Sequence, residues 1–293
     1  MKAHVDCYPC FINQALKTSK IATSDQKKIH EILSEVGRYL LQISFDATPP
    51  EISREIYGII SRKTGVEDPY RRIKEECTQQ AISLYPRLEK RIDSSDDPLL
   101  TALRVSIAGN VMDFGANAGF DLTEDIETIL SQEFAIDHYS EFSRALRKAK
   151  KILFLADNAG ETVFDRPLVE RLKRPVVYAV REKPIINDAV YEDALQAGMG
   201  DVAEIISSGS DAAGTPLNLC SQEFLNVYCA SDLILSKGQG NYECLSEEKR
   251  PLFFLLKAKC SVVARDIGVQ EGSIVLMKAK RWTPIIDVNT PAA

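Results

Sequence analysis

Asp157-Asn158-Ala159-Gly160-Glu161 follows directly on the apolar run Ile152-Leu153-Phe154-Leu155-Ala156. A buried strand that ends in a carboxylate, a carboxamide and a glycine, with a helical pattern after it, presents oxygen ligands at the carboxyl edge of a sheet. A second β-rich run, 175–180, leads into Arg181-Glu182-Lys183-Pro184-Ile185-Ile186-Asn187-Asp188, which puts Asp188 in the loop or helix start after the next strand. Loops after neighbouring parallel strands lie side by side, so Asp157, Asn158 and Asp188 are expected to converge. Two carboxylates and an amide oxygen form a hard donor set suited to Mg²⁺ or Mn²⁺, ions that keep several waters and share phosphate oxygens with a substrate. The three histidines, His4, His30 and His138, all fall in the first half, which argues against a histidine-rich zinc site in the sheet.

A third run, 232–236, enters Lys237-Gly238-Gln239-Gly240-Asn241-Tyr242-Glu243. Glycines let a backbone approach an anion, a helix start offers free N–H groups, and a lysine adds a point charge, so the expected ligand of Lys237 is a phosphate. Asn241 is grouped with the substrate contacts on the same motif. The loop 207–215, with Ser208 and Asp211, follows the run near 203–206 and is expected to reach the same ligand. Glu161 and Glu243 each either orient a metal ligand or complement a helix dipole from its first turn.

The elements that must position these groups change character along the chain. Up to residue 148 the spacing is helical: Ile29, Ile32, Leu33, Val36, Leu40 and Leu41 share one face, and Ile73, Cys77, Ala81, Leu84 and Leu88 another. Ser24-Asp25, Thr48-Pro49-Pro50 and Asp96-Asp97-Pro98 read as helix starts. From residue 149, short aliphatic runs at 151–156, 175–180, 203–206, 232–236, 252–257 and 273–277 alternate with helical segments, the pattern of parallel strands joined by crossover helices. The expectation is an α-helical region over 1–148 packed on a doubly wound, mostly parallel α/β layer over 149–293.

At 293 residues, 45% apolar, the chain can bury a sizeable core, and its net charge of -6 with a pI near 5.3 argues against phosphate-backbone binding of nucleic acid. No run of about 18 apolar residues and no leader pattern is visible, so neither a membrane nor secretion is expected and the cytoplasm is. Seven scattered cysteines fit reduced thiols. Cys220, Cys229, Cys244 and Cys260 have apolar neighbours and read as small hydrophobes. Cys7-Tyr8-Pro9-Cys10 is a lone CxxC at the start of a helical region rather than at a strand-to-helix junction, which disfavours a redox dithiol. A structural metal on His4, Cys7 and Cys10, with or without Cys77, is geometrically conceivable but lacks a second diagnostic pair, and it stands beside plain packing at the helix start.

Taken together, DNAGE at 157–161, KPIINDA at 183–189, KGQGNYE at 237–243 and AGNVMDFG at 108–115 resemble the damage-control phosphatases, the domain-of-unknown-function 89 or ARMT-like family. The resemblance covers essentially the whole chain, and the N-terminal CYPC is similar to the short prokaryotic branch. It implies a helical part beside a Rossmann-like sheet, a divalent metal (Mg²⁺, Mn²⁺, Co²⁺ or Ni²⁺) held by Asp157, Asn158 and Asp188, and a phosphate grip by Lys237. It also implies hydrolysis of small phosphomonoesters, sugar phosphates or damaged phosphometabolites, and a helix face carrying Asn110 and Asp113 into the cleft. In the expected mechanism Asp157 orients a metal-activated water or attacks phosphorus itself. No DxD pair follows the first strand, which favours water. The competing readings are a methyltransferase, which would show a GxGxG loop where DNAGE stands, and a cysteine-metal or redox module.

Overall fold

All six aliphatic runs of the second half form strands of a single sheet. The computed structural model describes residues 1–111, 128 and 130–281. A two-residue β1 (Ile136–Asp137) precedes β2 (Ile152–Leu155), β3 (Val176–Val180), β4 (Glu204–Ser207), β5 (Leu233–Lys237), β6 (Leu252–Lys257) and β7 (Ile274–Lys278). Among the described residues the helices are α1 (Tyr8–Ala22), α2 (Gln26–Leu40), α3 (Pro49–Thr64), α4 (Arg71–Asp93), α5 (Pro98–Val111), α6 (Tyr139–Lys148), α7 (Glu161–Leu172), α8 (Tyr191–Gln196), α9 (Gln222–Ala230), α10 (Gly238–Leu245) and α11 (Ser261–Ile267).

The strand order is β1-β7-β6-β5-β2-β3-β4, and every neighbouring pair is parallel except β6 with β7. Every residue of β2 and β5 is buried, as expected of parallel strands covered by helices on both faces. From β2 the chain winds outward through β3 and β4, then returns to lay β5 on the other side of β2 and continues to β6. The direction of winding therefore reverses between β2 and β5. The crevice at such a reversal is where α/β sheets bind ligands.

The helix starts form where the sequence places them. The Asp25 side chain accepts from Lys27 N and Lys28 N to cap α2, and Thr48 with Glu51 closes a reciprocal capping box on α3. On α2, Ile29, Ile32, Val36 and Leu40 are buried, but Leu41 lies just past the last turn and is 84% exposed. Helices α1, α2 and α3 enclose their own small core around Phe11, Ile32, Val36 and Ile56. Helices α4 and α5 instead join the main core, which runs from Ala81 through Phe164 to Leu276. One contact there positions the site: a Cβ on Gly109 of α5 would stand 2.8 Å from the Phe164 Cβ of α7. Only glycine lets α5 come that close, and the next residue is Asn110.

Candidate functional site

The loops after β2 and β3 are joined by their backbones. Ala189 N donates to Asp157 O (2.8 Å) and Ala159 N to Asn187 O (2.9 Å), and Asn158 and Asp188 form a short antiparallel bridge. The convergence expected of Asp157, Asn158 and Asp188 is therefore set by main chain, before any side chain acts. Between them Ile186 has φ 45, a left-handed conformation that a β-branched residue rarely takes, so this turn holds backbone strain.

Side chains then orient the three groups. Asn110 Nδ2 donates to Asp157 Oδ2 and to Glu161 Oε1, both at 2.7 Å. Asn158 Nδ2 donates to Asp157 Oδ2 (3.2 Å) and to Glu161. Glu161 thus collects both amide nitrogens, which turns the Asn158 oxygen and Asp157 Oδ1 away from protein donors among the described residues. The Asn110 oxygen is buried with no hydrogen-bond partner there. Asp188 is fixed from behind by Arg181, whose Nε donates to Asp188 Oδ2 at 2.8 Å while its other nitrogens reach Ala156 O and Thr215 Oγ1.

Helix α10 supplies the far wall. Gly238 has φ +76, and a Cβ built on it would stand 1.9 Å from Asp157 Oδ2. The backbone of the KGQGN motif therefore lies against the carboxylate, an approach that any side chain would block. Gly238→Ala is expected to displace Asp157, lowering kcat/KM by about 10²-fold or more, and to lower the melting temperature through both clash and strain. Steady-state kinetics and thermal denaturation of the variant check this; near-native values in both would refute it.

Residues 3–275 match the damage-control phosphatase ARMT1-like domain. The chain belongs to this family. It is 33% identical over 289 residues to a damage-control phosphatase of Pyrococcus horikoshii, covering 96% of this chain and 99% of that protein. To a damage-control phosphatase of Archaeoglobus fulgidus it is 34% identical over 289 residues, covering 94% and 98%. The crystal structure of a DUF89 family protein from Pyrococcus horikoshii superposes with a TM-score of 0.89 at 32% identity, covering 96% of this chain and all of that one. Membership of a family so named supports phosphatase activity over the methyltransferase and cysteine-module readings.

Within this damage-control phosphatase fold the site carries an excess of negative charge. Four buried carboxylates, Asp157, Glu161, Asp165 and Asp188, meet two buried cations, Lys237 and Arg181. Burial pushes the Asp157 carboxyl well above the usual range, and the charges of Glu161 and Asp188 push it further. Burial also raises Asp188, against the lowering effect of Arg181. Two uncompensated charges beside a free carboxylate oxygen and a free amide oxygen fit a divalent hard cation that keeps several waters. Among the described residues no three His, Cys, Asp or Glu side chains form a ready ligand cage.

The predicted phosphatase residues distribute unevenly around the cleft. A cavity of about 270 Å³ opens on Asp157, Asn158 and Asp188 and is also lined by Cys7, Cys10, Gln239, Glu243, Lys259 and Cys260. Lys237, expected to grip phosphate, is 0% exposed, and its ammonium is spent on Ser106 O (2.8 Å), Glu161 Oε2 (3.1 Å) and Asp165 Oδ1 (2.6 Å). With three hydrogens and three acceptors, none is left for a ligand. Asn241 is likewise internal, donating to Ala156 O and Lys237 O at 2.8 Å. Ser208 is buried and accepts from Ser210 N, and Asp211 pairs with Arg54 at a separate cavity. Asp113 lies outside the described residues.

Three groups went unread in the sequence: Arg181, Asp165 and Lys259. Asp165 stands one helical turn after Glu161, so the i, i+4 spacing of two acids on an otherwise apolar helix face was the available signal. Lys259 follows β6 and is the one positively charged side chain among the described residues lining the cleft. One cysteine expectation also changes: Cys229 is exposed on α9, whereas Cys260 packs against the core as expected and lines the cleft as well.

Proposed function

We propose that the chain is a metal-dependent phosphatase acting on small phosphomonoesters, sugar phosphates or damaged phosphometabolites among them. The reading rests on the excess of buried carboxylates over buried cations where Asp157 and Asp188 meet a cleft that Lys259 also lines. Asp157, Asn158 and Asp188 would hold the cation, which when bound supplies Lewis acidity toward the phosphoryl group and toward water.

The protein's own groups do the rest. Lys259 offers a charge-assisted hydrogen bond to a phosphate oxygen, the role expected of Lys237. Asp157 Oδ2 is held by Asn110 and Asn158. Its Oδ1 faces the ligand, where it can orient an attacking water. Glu161, held by Lys237, keeps both amide nitrogens turned inward, so the donor set is organised before ligand arrives. The acidic surroundings disfavour polyanions, and a cavity of about 270 Å³ suits a small metabolite.

Turnover of p-nitrophenyl phosphate with added Co²⁺, Ni²⁺, Mn²⁺ or Mg²⁺, abolished by chelator, is the expected result. In the same assay Lys259→Gln should raise KM by roughly 10-fold or more, the worth of one hydrogen bond to a charged group. Failure to turn over any phosphomonoester with any of these metals sinks the proposal.

A further inference from the structure

We propose that Glu243 is the general acid of this site, donating a proton to the leaving-group oxygen of the phosphate ester. The inference rests on the phosphatase reading and adds the residue that completes it. Asp157, Asn158 and Asp188 account for the phosphoryl end of a substrate, and Lys259 for a non-bridging oxygen. With those roles filled, none of them is assigned to the bridging oxygen, and an alkoxide is the poorest part of an alkyl phosphate to expel.

Position comes first. Gln239, Gly240 and Glu243 share the face of α10 that lines the cleft, and α10 begins at Gly238, against Asp157. Five residues of helical rise set the Glu243 backbone about 7.5 Å further along the axis than Gly238, and Glu243 and Asp157 line the same cavity. The side chain is held in place: Gln239 Nε2 donates to Glu243 Oε1 at 3.0 Å and approaches Cys260 Sγ at 3.5 Å, while Gln239 Oε1 accepts from Lys259 N at 3.1 Å. One glutamine thus ties the acid, the lysine loop and a thiol into one wall.

The surroundings suit an acid that keeps its proton. Burial pushes the Glu243 carboxyl up to about 7, against the hydrogen bond from Gln239 and the charge of the terminal amine of Met1. From α1 and the turn before it, Cys7 and Cys10 face the same space, and both thiols are themselves raised by burial and so stay neutral. Cys260 completes a soft, weakly polar wall. Asp6 and Lys259, of opposite charge, are the remaining ionisable groups on that wall, and Cys244 on α10 is raised too. This gives the CYPC motif a role that is neither redox nor metal-binding: it shields the acid.

The step balances. Water forms the new bond to phosphorus and releases one proton to solvent, the bond from phosphorus to the bridging oxygen breaks, and Glu243 gives its proton to that oxygen and regains one from solvent. The test compares two esters with wild type and Glu243→Gln, in which the Gln239 hydrogen bond can persist. For glycerol phosphate, kcat should fall by roughly 10²-fold or more in the variant. For p-nitrophenyl phosphate, whose leaving group departs without a proton, the loss should be at least about 10-fold smaller. Wild-type kcat for glycerol phosphate should decline as pH rises above about 7, with no such limb for the nitrophenyl ester. Equal losses on both esters, or matching pH profiles in wild type, overturn the assignment and leave the phosphatase reading standing. A wild type that hydrolyses neither ester with any metal overturns both.

Discussion

Asp157→Asn should abolish turnover and make the metal-free protein more stable. The carboxyl is only 8% exposed, and burial with Glu161 and Asp188 nearby holds its pKa well above the ordinary value. In the unfolded chain the same group ionises at the ordinary value. Between the two values folding takes up a proton, so stability falls as pH rises through that window and does not return above it. Asparagine keeps an oxygen for Asn110 and Asn158 and removes the charge. The variant should therefore melt above wild type at pH 8 and approach it at pH 4. If Asp157 holds a divalent cation, kcat/KM should drop by about 10³-fold or more, several kcal/mol of transition-state stabilisation. Mn²⁺ should raise the melting temperature of wild type and leave the variant unmoved. Turnover within about tenfold of wild type, or a wild type whose melting ignores all four metals, would contradict this account.

The same carboxylate shows what the sequence could carry. Asp157, Asn158 and Asp188 were legible because a strand's carboxyl end fixes where the next residues go, and parallel neighbours bring such ends together. Lys237 sits on an equally clear strand end and was assigned the opposite environment. Where its side chain points depends on the pleat, and the last residue of β5 turns under α5 and α7, where Asp165 and Glu161 wait. No local pattern reports that, because Ser106 is 131 residues away. Lys259 failed in the reverse sense: in the run Lys257-Ala258-Lys259-Cys260 nothing separates a cleft lysine from a surface one. The cysteines at 7 and 10 were read correctly as opening a helix, α1, with Cys7 at its N-cap. That this end faces Glu243 and Cys260 is a fact of packing between segments more than 200 residues apart, beyond the reach of spacing arguments.

Lys237→Met separates the two roles available to that lysine. If it gripped phosphate, its loss would raise KM and leave the fold as stable as before. The structure implies the reverse. Burial opposes its charge, but Asp165 and Glu161 outweigh burial and the ammonium pKa is raised, so at neutral pH its contribution to stability is fully present. Removing it leaves two buried carboxylates without their cation, a loss of about 3–5 kcal/mol, or roughly 6–15 °C in a chain of this size. Burial already raises Asp165, and without Lys237 it must rise further. In acid Asp165 is protonated with or without the lysine, so the gap between wild type and variant should narrow from pH 8 toward pH 5. Asp165→Asn in the same chain should recover part of the lost stability, since one of the Ser106 and Tyr178 hydroxyls can still donate to the amide oxygen and the other can accept from the amide nitrogen. Turnover should fall through kcat more than KM, because Glu161 loses the anchor that turns Asn110 and Asn158. A variant with unchanged melting and a selectively raised KM would return Lys237 to the phosphate.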